Sequence, residues 1–435
     1  MYKLSDYTVI LKESDYIIHN TLYGNMLRIT GSMEKENINN IEHILNTREF
    51  LDSELGKTLI DLKFVVNHKV NEQNILNFRY LSRVVRTLNI IMIPTRQCNF
   101  QCPYCYEEHI DYRMEENTYK NIVSMILKLV EQYKYETVNI SWFGGEPTLE
   151  LNNICCFMRF LKDQLNGCAK VYGQITTNGY LLRRDNLEKL VKVGVCDYQI
   201  TIDGFDKTHN KTRIMKGGEP TWNRIIQNLH DAKNSNLDFN IIIRTNFTKE
   251  ILNYAEEWFD YLKTEFLGDS RFKLYFEAVK DLGGKDKTYK FGKGEGEQVS
   301  ALLELAADRG LYSSTYRMWL QNFGMICYAG KPNSLVIDYD GKIKKCTVIL
   351  DDEINVVGSV KCNGKYLLNE QNISWWTAYE KSPECLSCKI YPLCYGKKCP
   401  ACYKKQNYCD NLIQMYYGIL RNMNALYKKS NNINN

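Results

Sequence analysis

Three thiols stand close together at Cys98, Cys102 and Cys105, within Thr95-Arg-Gln-Cys98-Asn-Phe-Gln-Cys102-Pro-Tyr-Cys105-Tyr. Thiolates at this spacing on one loop can hold three irons of a 4Fe-4S cube and leave the fourth iron without a protein ligand. A structural zinc site wants four ligands, and the nearest further candidate is His109. A second group begins with Cys327 and Gly341-x4-Cys346. It continues as Cys385-x2-Cys388-x5-Cys394-x4-Cys399, with Cys402 and Cys409 beyond. Eight thiols in that order can house two further clusters, and a pair of zinc knuckles fits the Cys-x2-Cys spacing as well. The other five cysteines, Cys155, Cys156, Cys168, Cys196 and Cys362, have no partner at ligand spacing and read as buried small hydrophobes.

Such loops need elements to hold them. Short β-branched runs at 88–94, 137–142, 171–177, 197–203, 239–246 and 272–277 alternate with amphipathic helical patterns such as 117–133 and 223–232. Six βα units predict a parallel sheet covered by helices, with chemistry at the carboxyl ends of the strands. The first cysteine group follows the first of these strands. Phe143-Gly144-Gly145-Glu146-Pro147 ends the second, Thr176-Thr-Asn-Gly179 the third, and Gln199-Ile-Thr-Ile-Asp203-Gly204 the fourth, with His209 and Arg213 beyond. Arg244 and Asn246 on the fifth strand are pocket-lining candidates. Residues 1–85 differ: strands at 8–11, 16–20 and 26–30 precede helical stretches at 37–47 and 53–61, a small α+β domain. The glycine- and lysine-rich stretch 283–296 reads as a solvated loop, because it lacks the spacing and the Lys-Ser/Thr of a P-loop.

The composition is that of a globular chain: 435 residues, 44% hydrophobic and 25% charged, which excludes disorder and coiled coil. A net charge of +5 over this length gives no argument for nucleic acid. No run approaches the ~18 apolar residues of a membrane span, and charged residues interrupt the first twenty positions, so a cytoplasmic protein is expected. In that reducing compartment clustered thiols serve as metal ligands in preference to disulfides.

Cys98-x3-Cys102-x2-Cys105 at the end of a first strand resembles the signature of the radical S-adenosylmethionine (SAM) enzymes. The resemblance implies a partial (β/α)6 barrel, a SAM-binding 4Fe-4S cluster on these three cysteines, and SAM chelating the open iron through its methionine amino and carboxylate groups. It further implies that Tyr104 contacts adenine through its main chain, and that Gly144, Gly145 and Glu146 receive the methionine ammonium. Thr201 and Arg213 resemble positions that bind the ribose and the carboxylate, and Leu274 the position that packs on adenine. The second cysteine group resembles the SPASM extension, with two auxiliary 4Fe-4S clusters. Carried over by position, Cys385, Cys388, Cys394 and Cys409 ligate the outer cluster. Cys327, Cys346 and Cys399 hold the inner one, which either takes Cys402 or keeps an open iron, since Asn333 stands where the family has a further cysteine. The gap of four between Cys394 and Cys399 is also one longer than the family's.

This resemblance spans about 88–410. Residues 1–85 resemble the winged-helix-like recognition element of enzymes that modify ribosomally made peptides, with a mere packing extension as the alternative. The division expected is therefore 1–85 for peptide binding, 86–310 for the radical SAM core and 311–435 for the SPASM domain. The function expected is a peptide maturase forming a thioether or carbon–carbon cross-link in a precursor peptide with a leader, served by a flavodoxin or ferredoxin. An anaerobic sulfatase-maturating, formylglycine-generating enzyme and a non-catalytic Fe-S or zinc protein are the alternatives.

Overall fold

The computed structural model describes residues 1–279, 295–377, 383–396 and 408–432. Fifteen strands appear among them. In chain order they are β1 (Tyr2–Leu4), β2 (Thr8–Lys12), β3 (Tyr16–Asn20), β4 (Met26–Ile29), β5 (Val65–Asn67), β6 (Thr87–Met92), β7 (Thr137–Trp142), β8 (Lys170–Thr177), β9 (Val195–Thr201), β10 (Asn240–Phe247), β11 (Phe272–Ala278), β12 (Ser334–Ile337), β13 (Lys342–Lys344), β14 (Val356–Val360) and β15 (Tyr366–Leu368). The chain divides into two compact units that do not follow chain order. One joins residues 1–82, 303–327 and 379–435, the other residues 83–302 and 328–378.

In the second unit, β6 to β11 form a parallel sheet in the order β11-β10-β9-β8-β7-β6. A helix covers each crossover. Glu116–Tyr133, between β6 and β7, buries Tyr119, Ile122, Val123, Met125, Ile126, Leu129 and Val130, the three-and-four spacing of one helix face. It stops at Lys134, whose φ of 55° is left-handed. Along the strands, burial alternates. In β10, Ile241, Ile243, Thr245 and Phe247 are buried, whereas Ile242, Arg244 and Asn246 are half-exposed. Trp258 donates to Thr245 Oγ1, and Phe259 packs on Phe247 and Phe276, so the buried face meets the helices and the polar face is left for ligands. The sheet does not stop at six strands: β12 pairs parallel to β6, and β13, β14 and β15 follow as antiparallel neighbours.

In the first unit β2, β3 and β4 form an antiparallel meander and β1 pairs with β5. Its two faces are both buried, by different parts of the chain. Ile18 and Ile29 pack with Ile38, Ile41, Leu45, Phe50 and Leu59 of the following short helices. Val9, Leu11 and Ile17 pack instead with Ile390, Leu393, Tyr416 and Leu420. Period-two alternation in β3 sends Ile17 one way and Ile18 the other, and burying each contributes roughly 1.5–3 kcal/mol. The expected helix at 37–47 is two pieces, Ser32–Asn39 and Ile41–Ile44, broken at Asn40 with φ −101° and ψ 13°.

The five unassigned cysteines are not uniformly buried. Cys155 is buried and Cys196 intermediate, but Cys156, Cys168 and Cys362 are exposed. Cys156 lies on the solvated face of helix Leu151–Leu165, and Cys168 and Cys362 lie in turns, where a small side chain needs no core. Among the described residues no helix is long and apolar enough to cross a membrane.

Candidate active site: a braced cysteine loop

Beyond Met92 the chain leaves the sheet as a loop tied down on three sides. Arg96 N–H donates to Tyr112 O at 3.2 Å and Thr95 Oγ1 to the same carbonyl at 2.8 Å. Gln101 N–H donates to Ile214 O at 2.9 Å and Lys216 N–H to Asn99 O at 2.9 Å. On the third side Glu146 N–H donates to Gln97 O at 2.7 Å, and Asn178 Nδ2 to Asn99 Oδ1 at 2.7 Å. The strand ends therefore touch the loop by backbone. At Gly145 a Cβ would lie 2.1 Å from Gln97 O, and at Gly144, with φ +113°, 2.6 Å from Thr95 O, so neither position admits a side chain.

This loop presents Cys98 buried and Cys102 and Cys105 partly exposed, near enough that charge on Cys102 and Cys105 opposes ionisation of Cys98 and charge on Cys102 opposes that of Cys105. Cys105 N–H donates to Cys102 O at 3.1 Å, and Phe100 N–H to Cys98 Sγ at 3.4 Å. Burial is the largest cause pushing all three thiols upward, Cys105 to about 12. Such thiols ionise readily only beside a cation. His109 Nε2 lies 3.7 Å from Cys105 Sγ. Among the described residues, no three His, Cys, Asp or Glu side chains converge on one point as a single metal ion requires.

Around Cys102 lies a buried polar hub. The Tyr104 hydroxyl donates to Asp203 Oδ2 and receives Arg213 Nη1 at 3.2 Å. Asp203, fully buried, also accepts Thr212 Oγ1 at 3.3 Å and Asn246 N–H at 3.1 Å. Burial raises its carboxyl despite the opposing Arg213 charge, and Arg213 in turn lowers Cys102. Arg213 is 8% exposed, and among the described residues its Nε has no hydrogen-bond partner. Glu146, 1% exposed, accepts Thr148 N–H, Thr148 Oγ1 and Thr177 Oγ1 on Oε1. Its Oε2 accepts Asn178 N–H at 2.7 Å, which leaves one lone-pair direction on that oxygen. Thr201 is paired with Arg244, and Arg244 with Tyr275, on the polar face. Leu274 is not brought to this group. It is 1% exposed and in β11 shares its parity with Phe272 and Phe276, on the helix-packed side.

Burial makes the three neighbouring thiols of the loop hard to ionise, so a cationic iron-sulfur core would stabilise their thiolates, and among the described residues the buried Arg213 guanidinium keeps its Nε donor unused beside them. Both fit a cationic cluster carrying a carboxylate ligand. In the other unit Cys388 and Cys394 each feel the charge of Cys385 and Cys409, so these four thiols share one neighbourhood, and burial pushes Cys394 up to about 12. Cys327 is partly exposed and Cys346 5% exposed. Cys399 and Cys402 lie outside the described residues. Sequence motifs missed the Tyr104 side chain, Asp203 and Asn246 as one hub; the only signal was their position at strand ends.

Residues 92–262 match the model of the Radical SAM superfamily. The chain is 20% identical over 342 residues to the cysteine-type anaerobic sulfatase-maturating enzyme of Clostridium novyi (strain NT), covering 71% of this chain and 87% of that one. It is 31% identical over 179 residues to the uncharacterized protein MJ0907 of Methanocaldococcus jannaschii, covering 40% of this chain and spanning 58% of that relative's length. Among solved structures it resembles native anSMEcpe with bound AdoMet and Cp18Cys peptide, with TM-score 0.61 and 19% identity over 80% of this chain and 99% of that one. Streptococcus suis SuiB bound to precursor peptide SuiA gives TM-score 0.51 and 16% identity over 93% of this chain and 97% of that one. The three cysteines braced at the strand ends lie within this matched segment 92–262.

Proposed function

We propose that the chain is a radical SAM peptide maturase that forms a thioether or carbon–carbon cross-link in a ribosomally made precursor. The observation that carries this reading is the braced loop 95–105, which brings three thiols together beside the buried guanidinium of Arg213. When bound, the cube and SAM supply a 5′-deoxyadenosyl radical that takes hydrogen from a substrate. Cys98, Cys102 and Cys105 would hold the cube. Arg213 offers a donor to a carboxylate, Glu146 Oε2 an acceptor to an ammonium, and the polar face bearing Thr201, Arg244 and Tyr275 a floor for ribose and substrate. Asp203 and Tyr104 keep the guanidinium in place. Cys385, Cys388, Cys394 and Cys409 would ligate an outer auxiliary cluster, and Cys327, Cys346 and Cys399 an inner one, completed by Cys402 or left open. Residues 1–85 would serve peptide recognition, 86–310 would form the radical SAM core and 311–435 the auxiliary-cluster domain. Strand β4 is the last of the N-terminal meander, and such an edge accepts an extended leader peptide through backbone hydrogen bonds. The solved neighbours anSMEcpe and SuiB, which carry peptides, support a peptide substrate for this fold.

Co-expression with a candidate precursor tests the reading. The peptide is expected to lose two hydrogens per bridge, and loss of alkylatable thiol separates sulfur bridges from carbon ones. An unaltered mass with active enzyme refutes it. The likeness to the Clostridium novyi enzyme favours a second reading, oxidation of a cysteine to formylglycine, which hydrazide labelling of the product would reveal.

A further inference from the structure

Arg96 precedes the first cluster cysteine by two residues, and its side chain leaves the matched domain altogether. It is 3% exposed, and its fork reaches Asp338 at the end of β12: Nη2 to Oδ2 at 2.5 Å and Nε to Oδ1 at 3.3 Å. Nη1 pairs with Asp351 at 2.7 Å. Asp338, 1% exposed, also accepts Lys344 Nζ at 2.6 Å, and that ammonium donates onward to Leu350 O at 2.7 Å. Two buried cations thus share the buried Asp338 carboxylate, and the exposed Asp351 supplies the second negative charge. Arg96 and Lys344 together hold the Asp338 carboxyl below its ordinary range against its burial.

Three independent contacts join the same partners. Ile93 N–H donates to Ile337 O at 2.9 Å, prolonging the β6–β12 ladder. Tyr112, whose carbonyl holds Thr95 and Arg96, stacks on Tyr339 with rings 5.0 Å apart and 3° from parallel. The Arg96 guanidinium lies 5.9 Å from the Tyr339 ring. Beyond the hairpin, Asn355 is fully buried. Its Oδ1 accepts Lys345 N–H at 3.0 Å and Cys346 N–H at 2.8 Å, and its Nδ2 donates to Cys346 O and Ile349 O.

We infer that Asp338 is a positioning residue for the Cys98–Cys105 loop, and that segment 334–355, which lies outside residues 92–262, is a working part of the radical SAM core. The inference rests on the reading that this loop binds a cube and SAM. A bidentate pair fixes both distance and plane of the guanidinium, which a single point charge would not. Through the Arg96 main chain, clamped between Tyr112 and Gly145, that constraint reaches Gln97 and Cys98. Segment 334–355 also carries Cys346, so one ionic cluster sets the geometry of both cysteine loops within this unit.

The test uses the full chain reconstituted with iron and sulfide under anaerobic conditions. Wild type, Asp338→Asn and the paired apolar variant Arg96→Met/Asp338→Leu/Lys344→Met are compared by melting, by SAM titration and by the SAM-induced change in the electron paramagnetic resonance of the reduced cluster. Asp338→Asn leaves a net buried charge and is expected to melt lower. The paired variant removes the two buried cations together with the buried carboxylate and leaves only Asp351, which faces solvent, so its folding is expected to hold. In that paired variant SAM affinity is expected to fall about 10–100-fold, the range for losing an outer support of a metal site, with a diminished or altered spectral change. Wild-type affinity and spectral change in the paired variant overturn the inference. Failure of the wild type itself to bind SAM overturns the underlying reading instead.

Discussion

The two cysteine regions are built differently. The Cys98–Cys105 loop is held by backbone bonds on three sides, by glycines that admit no side chain, and by buried ionic groups. The Cys385–Cys409 group has short turns and aromatic packing. Tyr395, left-handed at φ 51°, stacks on Tyr80 at 4.3 Å, and Phe323 meets both rings edge-on, while Cys409 is exposed. Preorganised ligands lose little entropy on binding a cluster, whereas ligands on separate short elements are ordered by the cluster itself. The comparison teaches that the first loop has its geometry fixed by the protein's own backbone and buried charges, whereas the second group rests on short elements and aromatic packing.

The largest effect expected is on the first region. Cys98→Ala should abolish SAM cleavage, a loss on the order of a thousandfold or more, while its melting curve stays close to wild type. Cys394→Ala should retain cleavage and instead lower the melting temperature, so measuring both variants by nucleoside release and calorimetry breaks or sustains the contrast. Glu146→Ala comes next. It strips acceptors from Thr148, Thr177 and the Asn178 N–H at once and should cost roughly 3 kcal/mol in denaturant unfolding, against about 1 kcal/mol for a single surface hydrogen bond.

In the first unit pH is the lever. His19 is fully buried, bonded through Nδ1 to the Tyr416 hydroxyl at 2.7 Å, and burial holds it down to about 4. A histidine kept neutral by the fold contributes stability above its unfolded value near 6.5, and that contribution is lost as pH falls toward 4. Melting between pH 7 and 4 should show a loss of roughly 3 kcal/mol that His19→Gln flattens. The smallest effect is kinetic. Iron chelation should raise proteolytic cutting within 383–409 several-fold and leave 95–113 nearly unchanged, as fragment mapping would show.

Much of this was legible in the sequence. All six parallel strands fall within two residues of their expected starts, because β-branched runs between amphipathic helices carry both period and boundary. The three N-terminal strands were equally plain. What the sequence concealed is long-range or directional. Arg96 and Asp338 are 242 residues apart, and no local pattern reports that pairing or the parallel docking of β12 on β6. Leu274 shows the second kind. A resemblance carries a position along a strand, whereas alternation in β11 decides which way the side chain points, and that parity belongs to the helix face. Glu146 shows a third. Its motif marked it for a ligand, and the fold also uses it to sew the second strand end to the third.

The claim on which the account rests is that the Cys98–Cys105 loop holds a cube with one iron left for SAM. Anaerobic reconstitution followed by reduction in the presence of SAM measures it directly. The account predicts release of 5′-deoxyadenosine from protein carrying roughly twelve irons, four for each of three cubes, and release that vanishes in Cys98→Ala. Stoichiometric zinc with no nucleoside formed would contradict it.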